Sequence, residues 1–74
     1  MLLPLQFMAS GETGVIEDVQ GRPDWVGRMA ELGIRSGNRV KVLSSGSPCL
    51  LLIGDCRLCL RMDECAHIMV RLAQ

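Results

Sequence analysis

Seventy-four residues, 49% of them hydrophobic, describe one small domain at most. Eight acidic and eight basic side chains cancel without forming a basic block, and Phe7 and Trp25 are the only Phe, Tyr or Trp residues. The positive stripe and stacking platforms of nucleic-acid binders are therefore missing. The longest uncharged runs, Met1 to Gly11 and Val42 to Gly54, fall short of the ~20 apolar residues of a membrane-spanning helix, and both contain Pro, Gly and Ser. No basic residue precedes the first apolar run and no cleavage-like segment follows it, so the expected location is the cytoplasm, with all four cysteines as thiols.

In chain order, Leu5-Gln6-Phe7-Met8 is a short apolar opening strand, and Ser10-Gly11-Glu12-Thr13-Gly14 a turn. Val15 to Val19 follows as a strand, ended by Gly21 and Pro23. Asp24 is placed to cap a helix over about residues 24–32, with Val26, Met29 and Ala30 on its inner face and Trp25 and Leu32 as further candidates for that face. The stretch Met29 to Val42 carries the richest backbone instructions. Gly33 in the left-handed position past the helix lets Ile34 pack back on Met29, Ser36-Gly37 turns the chain, and Arg39 to Leu43 alternates as a half-buried strand. Ser44 to Pro48 is a loop and Cys49 to Ile53 an apolar strand. Gly54-Asp55 is a two-residue hairpin turn, with Cys56 to Met62 as the return strand. Asp63 caps one helical turn over about residues 63–67, and Ile68 to Leu72 closes the chain as a last strand. The fold class is mainly β: a small barrel of five to six strands, a closure that removes exposed edges.

Three groups of residues carry a further signal: Pro4-Leu5 leading to Ser10-Gly11-Glu12-Thr13-Gly14-Val15, then Arg28-Met29-Ala30-Glu31-Leu32-Gly33-Ile34 with Gly37 and Val40, and finally Leu60-Arg61, Ala66 and Ile68-Met69-Val70. In this order and spacing they resemble the FeoA family. Leu32-Gly33-Ile34 with the following Gly37 is the most specific element. Two features depart from the family pattern. Ser36 stands where Pro is usual, and the 44–48 segment is shorter than the family's Pro-Leu-Gly-containing loop. The resemblance implies an SH3-like barrel filling residues 1–74 as a single domain. It also implies an accessory role in ferrous iron uptake at the cytoplasmic side of FeoB, a membrane transporter with a GTP-binding domain. The same barrel ends DtxR-type metal-dependent repressors, but this chain has no room for their DNA-binding parts.

Two sets of side chains are candidates for a site. Cys59, Cys65 and His67 are donors for a transition metal ion, Fe²⁺ or Zn²⁺, and make a metal- or thiol-sensing module the alternative reading. Against it, Cys56 and Cys59 are three apart on a strand and point to opposite faces. Cys56 aligns inward with Leu58 and Leu60, so Cys49, Cys56 and Cys65 read as small buried hydrophobes, and Cys59 faces outward. The second set is Trp25, Arg28, Glu31 and Arg35, on or just past the one substantial helix; Trp and Arg are enriched at binding hot spots. Under the family resemblance this set meets the transporter. Trp25 as a cover over the barrel end is the plainer alternative. A homo-oligomer contact through Cys59 or an apolar edge strand is a third reading. No catalytic constellation is present, and the Ser10 to Gly14 turn lacks the Lys and helix of a phosphate loop, so no enzyme is expected.

Overall fold

Alternation builds the centre of the molecule. Along β3, Arg39–Ser44, Val40 and Val42 are buried and Arg39 and Lys41 exposed, as the two-residue period of a strand with one wet face requires. Strand β4, Cys49–Ile53, buries Cys49, Leu51 and Ile53 and half-buries the leucines between them. Around these lie β1 (Leu2–Pro4), β2 (Thr13–Val19), β5 (Cys56–Leu60) and β6 (Ile68–Leu72), with helices α1 (Pro23–Glu31) and α2 (Met62–Cys65). This computed structural model describes residues 1–73, so Gln74 of the expected 1–74 unit lies outside it.

The six strands form one antiparallel sheet in the order β1-β6-β2-β3-β4-β5. Its register slips by one residue at Glu17 against β6 and at Leu43 against β4. Such bulges bend a strand and sharpen its twist, which curls the sheet round its core. Leu5, Ile16, Ile34, Val42, Leu51, Ile68 and Val70 fill that core, and among the described residues no polar or charged side chain is buried. Strands β2 and β3 are neighbours, and α1 lies in the connection between them.

The mainly β reading with six strands, one helix and one helical turn holds, with four local corrections. Leu5–Phe7 is a 3-10 turn, not a strand. Leu5 and Met8 are both buried while Phe7 is exposed, a spacing of three that a strand does not deliver to one face. The strand precedes it, at Leu2–Pro4 against β6. Asp24 does not cap α1. Pro23 takes the first helical position, where its missing N–H costs nothing, leaving Arg22 as the cap and Asp24 in the first turn. Strand β5 stops at Leu60, not Met62, because the Glu64 carboxylate accepts the Arg61 N–H at 3.0 Å and starts α2 one residue early, with Asp63 inside it. Finally, the hydrogen-bonded order leaves β1 and β5 at the two ends, so closure does not remove both edges.

Candidate functional site

Helix α1 is pinned at its C-terminal end by backbone geometry. Ile34 N–H donates to the Met29 carbonyl at 2.8 Å and Gly33 N–H to that of Ala30 at 3.0 Å. This pair of bonds satisfies two of the carbonyls a helix end leaves open. It needs a left-handed residue, and Gly33 has φ +99°. Met29 and Ile34 are both buried, as that contact requires. Two residues on, Asn38 N–H donates to Arg35 C=O at 3.2 Å with Gly37 at φ +95°, a turn with glycine in its third place. The Asn38 side-chain amide donates to the Gly33 carbonyl at 2.7 Å, tying the turn to the cap.

The N-terminal end is held by Trp25. Its ring is half-buried against the core and meets the His67 ring edge-on, with centroids 6.2 Å apart. The indole N–H donates to Glu64 of α2 at 3.3 Å. A side chain at Gly21 would stand 3.0 Å from the Trp25 ring. Gly21, Arg22, Trp25, Arg61, Glu64 and His67 thus line a shallow cleft of about 400 Å³ between the starts of α1 and α2.

The four side chains expected to meet a partner are therefore divided. Arg28 and Glu31 share the exposed face of α1, joined by Leu32, which is 42% exposed just past the helix. Trp25 is turned toward α2. Arg35 is exposed but borders a depression with Asp18, Val26 and Ala30. Val26 and Ala30 each lie two residues from Arg28, about half a turn round the helix. Sequence reasoning missed Glu64 and His67 as neighbours of Trp25. The only signal was compositional: one Trp and one His in the whole chain.

The cysteines fall into two pairs. Cys49 and Cys65 are buried and neighbour each other in the core. Burial pushes the Cys65 thiol up to about 12, helped by the neighbouring Cys49, and burial also raises Cys49. A thiol held protonated is a poor ligand and a poor nucleophile. Cys56 and Cys59 are exposed. For Cys56 this corrects the inward assignment: it sits beside the Gly54-Asp55 turn on the outermost strand of the sheet, which has β4 on one side only. Cys59, Cys65 and His67 do not converge, since one is on the last strand of the sheet, one in the core and one beside Trp25. Among the described residues no three His, Cys, Asp or Glu side chains are grouped to hold a metal ion. No helix there is long and apolar enough to cross a membrane.

Comparison with known proteins agrees with this architecture. The sequence profile of the FeoA domain matches residues 3–72. A crystal structure of the iron uptake regulatory protein FeoA superposes with TM-score 0.93 at 24% identity, over 99% of this chain and 100% of that one. FeoA of Stenotrophomonas maltophilia complexed with zinc, described as an SH3 domain protein, gives TM-score 0.82 at 29% identity, over 93% of this chain and 89% of that one. A manganese-dependent transcriptional repressor gives TM-score 0.88 at 20% identity, over 97% of this chain but 42% of that one, a likeness of fold alone. The fold is accordingly SH3-like. No curated protein matches by sequence.

Proposed function

From the premise that this chain belongs to the FeoA family, which is associated with ferrous iron transport, we propose that it is a cytoplasmic accessory protein of ferrous iron uptake. In this reading the chain, acting as one domain, binds the cytoplasmic side of a FeoB-type GTP-binding transporter through the outer face of α1. The observation that supports it is the fixing of α1 at both ends, by the Gly33 cap and by Trp25, while Arg28, Glu31 and Leu32 stay exposed. A helix face held in place before binding loses little conformational freedom on binding. One apolar residue beside charges of both signs is a surface that a complementary partner can read. The part played by the protein is recognition, with no bond made or broken. Ferrous iron is the transporter's cargo, and no resident metal belongs to this reading.

The test is Arg28→Glu. Charge reversal on the exposed face is expected to weaken co-purification with the transporter's cytoplasmic GTP-binding domain. Stability should stay within about 0.5 kcal/mol, as for surface substitutions generally. Undiminished co-purification removes α1 as the contact.

A further inference from the structure

We propose that β5, a free edge of the sheet, pairs antiparallel with β5 of a second copy of this chain, in a two-fold register centred on Leu58. Proteins blunt exposed edges by keeping them short or by placing proline and charge on them. The edge at β1 has two of these devices, three residues in length with Pro4 among them. The edge at β5 is five residues long, has no proline and carries a single charge, Arg57.

Its hydrogen-bonding groups are set out for a partner. The two-residue turn makes Ile53 and Cys56 the closing pair of the hairpin. By alternation Cys56, Leu58 and Leu60 direct their N–H and C=O groups to β4, and Arg57 and Cys59 direct theirs away from the sheet. Both residues are exposed, and among the described residues neither has a backbone partner outside the strand ladder.

Charge chooses the register. Outward residues must face outward residues, which leaves axes through Arg57, Leu58 or Cys59. The first sets Arg57 opposite itself and the third sets Arg57 opposite Arg61 of the second copy, both like-charge pairs that oppose pairing. The axis through Leu58 sets Arg57 opposite a neutral Cys59 twice. It forms four main-chain hydrogen bonds and brings the two half-buried Leu58 side chains together. So short a contact falls well below the area of a permanent interface, so the dimer is weak and forms as concentration rises.

The experiment is an amide NMR and sedimentation dilution series on the whole reduced chain, from low micromolar to millimolar. The Arg57 and Cys59 amides should shift and gain exchange protection with concentration, while those of Cys56, Leu58 and Leu60 are protected throughout. Cys59→Glu, facing Arg57 twice, should tighten the dimer by roughly 2- to 30-fold and Cys59→Lys should loosen it by a similar factor. A chain that stays monomeric at millimolar concentration overturns the proposal. So does a dimer in which the Arg57 and Cys59 amides do not move, or equal affinities for the Glu and Lys variants.

Discussion

Replacing Gly33 by Ala attacks the element on which the placing of α1 depends. Two costs add. A side chain in the left-handed region costs about 1–2 kcal/mol, and Gly33 has φ +99°. The new methyl would also stand 3.0 Å from Cγ2 of Ile53, a buried residue of β4, whereas contacts this close require a neighbour to move. Overfilling a packed site costs about 1–3 kcal/mol. The expected loss is therefore about 2–5 kcal/mol, set against the roughly 4–11 kcal/mol that a chain of this length commands. At about 4–8 °C per kcal/mol, the melting temperature falls by roughly 8–40 °C. Urea unfolding followed by Trp25 fluorescence and by circular dichroism measures the loss. Gly37→Ala is the control, because its φ is +95° but nothing lies within 4 Å of an added methyl; it should lose only the backbone cost of about 1–2 kcal/mol. Ile53→Leu, which removes the offending branch, should cost less in the Gly33→Ala background than alone. Equal losses at Gly33 and Gly37 would refute the close packing of cap against β4, and a Gly33→Ala loss under about 1 kcal/mol would refute the cap itself.

Two further outcomes concern the cysteines. A thiol reagent under native conditions should label Cys56 and Cys59 at once, and Cys49 and Cys65 only as the chain unfolds; four equally fast thiols, counted by absorbance or mass, contradict the buried pair. Because the folded chain holds the Cys65 proton from the ordinary 9.0 up to about 12, it binds more protons than the unfolded chain across that window. Stability should then be complete below pH 9.0 and fall as pH rises toward 12, at about 1.4 kcal/mol per pH unit for one such group. Urea midpoints across alkaline pH give the slope, and Cys65→Ala should flatten it.

What could be read in the sequence was what neighbouring residues determine among themselves. The cap at Gly33, the turn at Gly37 and the Gly54 hairpin each rest on bonds spanning a few residues, and β4 on an unbroken apolar run of its own. All four appear where their residue types place them. The opening segment failed because Leu5 and Met8 satisfy a three-residue spacing that a short apolar run does not distinguish from alternation. Cys56 failed because alternation says which face of a strand a residue takes, not whether the core reaches a strand at the edge of the sheet: Ile53 opposite it on β4 is buried and Cys56 is not. The surroundings of Trp25 were illegible for a different reason. Glu64 is 39 positions away, and only the packing of α2 against the start of α1 brings it to the indole. The same packing turns Trp25 toward α2 and away from Arg28 and Glu31, its neighbours on the same helical stretch.

The position of α1 between two paired strands has a consequence of its own. Strands β2 and β3 are joined as a hairpin is, but by a loop that has grown a helix. The chain comes back to the sheet without the helix's help: Gly37 N–H donates to Ile16 C=O at 2.7 Å, and Ile16 N–H to Asn38 C=O at 2.9 Å. Sheet and helix are thus fastened separately. Residues on the outer side of α1 can be exchanged without breaking a rung of the ladder, much as antibody loops vary on a constant framework. A small barrel of this design can take up changes on the outer face of α1 while its own folding problem stays solved.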